Sequence, residues 1–162
     1  MSIDNIVRRS LTEFIEDIFR SQWYGKEREA ISLYAFGYLL KHCQPNAILQ
    51  DPRQIGIEIR VPKPTKLGKK VEVCKDLVIW RQPSMTCWTA EKIAKNYPLA
   101  VLQWKVNEPE VSVDDVEWLR AFSEDSPESL GYAICVDLTK KKFRLKCTRV
   151  QNRIAQKKWL VL

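Results

Sequence analysis

The first quarter of the chain alternates apolar and polar positions with the period of an α-helix. Apolar residues recur every three or four positions, at Ile3, Ile6, Val7, Leu11, Phe14, Ile15, Ile18 and Phe19. This spacing predicts an amphipathic helix with one side turned to a core. After a break at Gly25, the segment KEREAISLYAFGYLLKHC predicts a second helix, which ends at the Pro45-Asn46 turn.

Beyond residue 50 the period shortens to two residues, as in β-strands. The segments IGIEIRV, VEVCKDLVIW and PLAVLQWKV predict three strands, and PKPTKLGKK predicts the turn between the first two. The connection around CWTAEKIAKNY is predicted to be irregular or a short helix. Ser112 and Asp115 form a capping box for the helix VDDVEWLRAF. The segments GYAICVDL and KFRLKCTRV predict a hairpin that turns at TKKK, and KKWLVL predicts a short final strand.

The resulting order is two helices, three strands, a helix and two strands. A helix between strands implies a crossover connection and therefore some parallel pairing, so we expect a mixed sheet with helices on its faces. At 162 residues, of which 45% are hydrophobic, the chain can bury one core, and we expect a single domain over residues 1–162.

Composition narrows the class of protein. No apolar run approaches the length of about 20 residues that a membrane span needs, and the N-terminus does not resemble a secretory signal. We therefore expect a soluble, cytoplasmic protein. The five cysteines are an odd number without a C-x-x-C pair, which favours reduced thiols over disulfides or a zinc site. With His42 as the only histidine, a catalytic triad or a His-Cys metal cluster is not expected.

The basic charge is concentrated at the C-terminal end. The formal net charge is +7, yet nine of the 27 basic residues follow Asp137 and none of the 20 acidic residues does. A cationic surface of this kind suits a polyanion, and DNA is the expected partner. A solvated strand face would have the same composition, and charge alone leaves both interpretations open.

Three polar positions interrupt the buried strands. Strict alternation places Asp76 on the side of the second strand that carries Val78 and Trp80, with Val73 and Leu77 opposite. A carboxylate among apolar neighbours is costly unless it is paired or binds a cation. On the third strand Gln103 and Lys105 share one face.

If these two strands are neighbours, Asp76, Gln103 and Lys105 converge. The second helix offers Glu27 or Glu29 from above, and helical geometry leaves both open. A cross-strand salt bridge between Asp76 and Lys105 is the structural alternative to a functional site.

At these residues the chain resembles the PD-(D/E)XK superfamily, and the segments KDLVIW, PLAVLQWKV, DDVEWLRAF and GYAICVDL resemble a bacterial branch of it. The resemblance covers nearly the whole chain. It implies an α/β fold with a restriction-endonuclease-like three-layer core. In that core a central mixed β-sheet is flanked by helices in α-β-β-β-α-β order, and here an extra helix precedes it.

The resemblance also implies a site and a partner. Asp76, the backbone carbonyl of Trp104 and Glu29 or Glu27 would hold Mg²⁺ or Mn²⁺, and Gln103 and Lys105 would fill the acid-x-lysine motif. The implied function is an endonuclease-like, metal-dependent phosphodiesterase that acts on DNA, with a homodimer as an expected assembly. Phosphate contacts are expected from the basic hairpin, at Lys140, Lys141, Lys142, Arg144 and Lys146.

Position 103 departs from the family pattern. A glutamine offers a carbonyl oxygen without charge, whereas Mg²⁺ prefers carboxylate oxygen. Two functions therefore stay open: a nuclease that tolerates Gln103, and a catalytically degenerate member of the fold that binds nucleic acid or protein. The absence of proline before Asp76, where Lys75 stands, is expected to matter little.

Overall fold

The computed structural model describes residues 1–139 and 144–162, and within these residues it contains three α-helices and one six-stranded sheet. Short 3₁₀ helices lie at Leu39–His42, Pro52–Gln54 and Thr65–Leu67. The helices and strands are α1 (Ile3–Arg20), α2 (Glu27–Gly37), β1 (Ile55–Pro62), β2 (Glu72–Ile79), β3 (Ala100–Val106), α3 (Val113–Asp125), β4 (Leu130–Asp137), β5 (Arg144–Gln151) and β6 (Ile154–Val161).

The sheet is mixed, as the order of elements predicts. Its strands lie in the order β1-β2-β3-β4-β5-β6. Strands β3 and β4 run parallel, joined by the crossover helix α3, and each of the other neighbouring pairs is antiparallel. The α/β class and the crossover are therefore confirmed.

Element boundaries differ from the sequence pattern in two places. Helix α2 ends at Gly37, a poor helix former, and the chain continues as a 3₁₀ helix instead of a regular α-helix. The connection between β2 and β3 is irregular, one of the two predicted alternatives, and contains an isolated bridge between Trp88 and Ala94. The last strand starts at Ile154, ahead of the short segment that the pattern indicates, because it pairs with β5.

Helices cover both faces of the sheet. On one face α1 and α2 pack over a large cluster that includes Phe14, Tyr34 and Trp104, all with no exposed surface. On the other face α3 packs through Leu119 and Phe122. Gly131 of β4 allows a close approach there, since a Cβ at this position would lie 2.9 Å from Leu119 Cδ2.

The hairpin formed by β1 and β2 changes face midway. Ile57 and Leu77 are paired and contact the cluster under α1 and α2, whereas Val61 and Val73 are paired and contact the cluster under α3. Residues 58 and 76, which would face each other across the two strands, are not paired, and residue 58 has a φ of +51°. The prediction that side chains alternate strictly along β2 is therefore wrong. Val73 packs on the same side of the sheet as Val78, because the strand twists at residue 76 and the alternation shifts by one residue there.

Past this change of face the hairpin folds over α3. At its tip the Thr65 backbone N–H donates to Asp125 Oδ2 over 2.8 Å, and Lys66 Nζ lies 2.6 Å from Glu124 Oε1. Both carboxylates belong to the last turn of α3. This contact brings the first half of β2, including Lys75, over the side of α3 and out of solvent.

The cysteines agree with the expectation of reduced thiols. All five cysteines are free; Cys87, Cys135 and Cys147 are buried, and Cys74 is exposed. Among the described residues, each helix is too short or too polar to cross a membrane.

Candidate active site

The candidate site lies where β2 and β3 separate. These strands pair only from Leu77 and Leu102 to Ile79 and Ala100, while β3 continues along β4 to Val106. The end of β3 therefore has backbone groups on its β2 side that no strand partner satisfies. Asp76, the first residue of β2 beyond the paired segment, fills this gap.

Asp76 is held by the backbone of β3. Its Oδ2 accepts a hydrogen bond from the Trp104 N–H over 2.8 Å. The pKa of the Asp76 carboxyl is raised overall, because the effect of burial exceeds the opposing effects of this hydrogen bond and of the nearby Lys105. The carboxylate is thus fixed in position and kept close to cationic groups. The contact at Trp104 runs through its N–H, and the metal-binding role of its carbonyl stays a prediction.

The structure distinguishes between the two helix glutamates. Glu27 Oε2 lies 3.8 Å from Lys105 Nζ, and both side chains are 38% exposed. Burial raises the pKa of Glu27, with Lys105 acting in the opposite direction. Glu29 instead accepts the Lys26 backbone N–H over 2.7 Å and caps the start of α2. Glu27 thus lies next to Lys105, whereas Glu29 is engaged in capping α2.

The side-chain amide of Gln103 is hydrogen-bonded to Lys75, a lysine that the sequence pattern did not assign to the site. Lys75 Nζ donates to Gln103 Oε1 over 2.9 Å and lies 3.6 Å from the centre of the Trp118 ring. Lys75 is only 8% exposed and Gln103 only 5%. A lysine beside an aspartate looks like an exposed strand residue in the sequence, and only the change of face at Asp76 buries it.

Asp115 is a second residue that sequence reasoning assigned only to helix capping. Its backbone N–H does bond to Ser112 Oγ, over 3.2 Å, at the start of α3. Its carboxylate also acts on the site, since it raises the pKa of Asp76 and of Glu27 and opposes the lowering of the Lys75 pKa. Asp115 therefore adds negative charge near Asp76, Glu27 and Lys75.

The carboxylates near Lys105 are few for a divalent cation. Across residues 1–139 and 144–162, no three His, Cys, Asp or Glu side chains are grouped closely enough to hold a metal ion. Mg²⁺, however, is usually bound by one or two carboxylates together with waters and substrate phosphates. Asp76 and Glu27 are two carboxylates near enough to interact electrostatically, and Gln103, whose oxygen is bound to Lys75, adds no charge.

The residues predicted to contact phosphate are only partly described. Lys140, Lys141 and Lys142 lie outside the described residues. Arg144 is exposed at the start of β5. Lys146 donates to the Pro109 carbonyl over 2.9 Å and forms an ion pair with Glu110, so part of its charge is already neutralised.

Lys75 should make stability depend on pH. Burial lowers its pKa to about 8 from 10.5, so between these values the unfolded chain binds more protons than the folded one. The free energy of unfolding should then rise with pH in this window. Relative to a Lys75→Met variant, the natural protein should gain about 2–3 kcal/mol between about pH 7.5 and about pH 10.

Denaturant unfolding of both proteins at the two pH values measures this gain. Lys95→Met, at an exposed lysine of the β2–β3 connection, is the matched control and should show no such change relative to the natural protein. A pH-independent difference between the natural protein and Lys75→Met would contradict the burial of a charged amine.

Comparisons with family models, with curated proteins and with solved structures gave no match to this chain.

Proposed function

We propose that the chain is a nuclease-like protein of the PD-(D/E)XK superfamily that binds DNA and hydrolyses its phosphodiester bonds with Mg²⁺ or Mn²⁺. The observation that carries the proposal is the meeting of Glu27, Asp76 and Lys105 where β2 and β3 separate. These residues come from three elements and are far apart in the sequence. If Asp76 and Lys105 formed only a structural salt bridge, Asp76 would be the ion-pair partner of Lys105. Instead, Lys105 pairs with Glu27.

The arrangement of elements supports the same proposal. The resemblance implies a helix, three strands, a crossover helix and a further strand. The chain has α2, β1 to β3, α3 and β4 in this order, with β3 and β4 parallel. Helix α1 is the extra N-terminal helix, and β5 and β6 extend the sheet.

Each residue has a definite task in this proposal. Asp76 and Glu27 would hold the cation, which when bound would polarise the phosphate and lower the pKa of the attacking water. Lys105 pairs with Glu27 and acts electrostatically on Asp76, and it would stabilise the negative charge that develops on the phosphate. Burial is the main cause of the raised pKa of both Asp76 and Glu27.

The test is a cleavage assay on single-stranded, double-stranded and branched DNA with Mg²⁺ or Mn²⁺. The natural protein is expected to cut at least one of these substrates. The Asp76→Asn variant, which keeps an acceptor for the Trp104 N–H but removes the charge, should be at least about 10²-fold slower. Equal cleavage by both proteins, or none by the natural protein, would refute the proposed reaction.

A second candidate function is DNA binding without cleavage. It is favoured by the hydrogen bond between Lys75 and Gln103, which uses the oxygen at the position where the family has an acid. In this case the natural protein would retain DNA in a gel-shift assay and leave it intact. Its affinity should fall steeply with added salt, since the contacts would be to phosphates.

A further inference from the structure

Lys75 occupies the space next to position 103 from within the core. Its ammonium lies between the ring of Trp118 on α3 and the amide oxygen of Gln103 on β3. The other end of that amide is also held, since Gln103 Nε2 donates to the Leu102 carbonyl over 3.3 Å. Both side chains are more than nine-tenths buried, so the pair has little freedom to turn toward solvent.

A fixed ammonium changes what position 103 can bind. The Gln103 oxygen receives its hydrogen bond from a cation, and a divalent ion brought to the same oxygen would be repelled by that cation at close range. A carboxylate at this position would meet the same ammonium and form a buried ion pair with it. In either case the side-chain oxygen at position 103 would interact with the Lys75 ammonium.

We propose that Lys75 closes position 103 to metal ions, so that a divalent cation at this site would be held only from the side of Asp76 and Glu27. This inference rests on the proposed function, because it concerns the cation of that same site. Lys75 acts through Gln103 and through its own charge and touches no reacting atom, so it is a positioning residue.

Mn²⁺ binding by four proteins tests the inference. They are the natural protein, Gln103→Glu, Lys75→Met/Gln103→Glu and the control Lys75→Met/Gln103→Leu. Methionine keeps the length of the side chain and a favourable contact with Trp118. Titration calorimetry gives the Mn²⁺ affinity, the melting temperature with and without Mn²⁺ gives a second readout, and circular dichroism verifies folding.

Restoring the acid alone is expected to change the Mn²⁺ affinity by less than about threefold, because Lys75 neutralises it. Removing Lys75 as well should increase the affinity at least about tenfold, the effect typical of a changed metal environment. The same double variant should melt at a higher temperature when Mn²⁺ is added, because ligand binding stabilises the folded state. The Lys75→Met/Gln103→Leu control should bind Mn²⁺ no more tightly than the natural protein.

Two results would overturn the inference. One is a Gln103→Glu variant that binds Mn²⁺ as tightly as Lys75→Met/Gln103→Glu, since Lys75 would then not close the position. The other is a folded double variant without any gain in affinity. Failure of the proposed function is a separate result, because it is seen as absence of DNA cleavage by the natural protein and does not alter this comparison of affinities.

Discussion

Replacing Lys105 by alanine is expected to slow metal-dependent DNA cleavage by about 10²–10³-fold, the usual effect of removing one group that stabilises charge in a transition state. The reason is its position: Lys105 Nζ lies 3.8 Å from Glu27 Oε2, and its charge opposes the rise that burial causes in the pKa of the half-buried Asp76. Because the side chain is 38% exposed, its removal leaves no large cavity, and the variant should fold normally.

The measurement is the single-turnover cleavage rate at saturating protein, with the melting temperature as a check on folding. Lys95→Ala is the matched control, because it removes an exposed lysine from the β2–β3 connection, outside the site. It should cut DNA at the natural rate. Similar rates for Lys105→Ala and Lys95→Ala would show that Lys105 has only a structural role.

The largest loss of stability is expected from Trp104→Ala, at about 3–5 kcal/mol. Trp104 has no exposed surface, and its ring centre lies 5.7 Å from that of Phe14 and 5.0 Å from that of Tyr34. Alanine would leave a cavity between β3 and both helices of that face. For a chain of this length the loss corresponds to a decrease in melting temperature of about 6–20 °C.

Thermal and denaturant unfolding measure this loss, and Trp104→Phe is the informative comparison. Among the described residues Trp104 Nε1 is buried without a hydrogen-bond partner. Phenylalanine removes this unsatisfied group and retains most of the ring contacts, so it should cost less than half as much as alanine. Equal losses for the two variants would mean that the ring contacts contribute little.

Much of the fold could be predicted from the sequence because it depends on local periodicity. The shift from a period of about 3.6 to 2 identifies helices and strands, and a helix between strands requires a parallel pair. The same pattern identifies Asp76 and Lys105 as candidate site residues, since polar residues in buried strands need partners. Both do lie at the gap between β2 and β3.

The choice between Glu27 and Glu29 could not be made locally. Two positions along a helix are about 200° apart, so only one of them can face a given strand. Which one does depends on how α2 packs on β3 and on the capping bond that Glu29 makes with Lys26. The capping bond is local to the start of α2, whereas the packing of α2 on β3 arises only when the elements assemble.

The sequence by itself determined the helices, the strands, the crossover and the polar residues that need a partner. The tertiary structure alone decided which of those residues meet. The hairpin rotates at Asp76 and folds over α3, which places Lys75 on Trp118 and against Gln103, residues 43 and 28 positions away. The physical reason is that strand periodicity is a property of neighbouring residues. The cost of burying a charge, in contrast, depends on partners that only folding brings near.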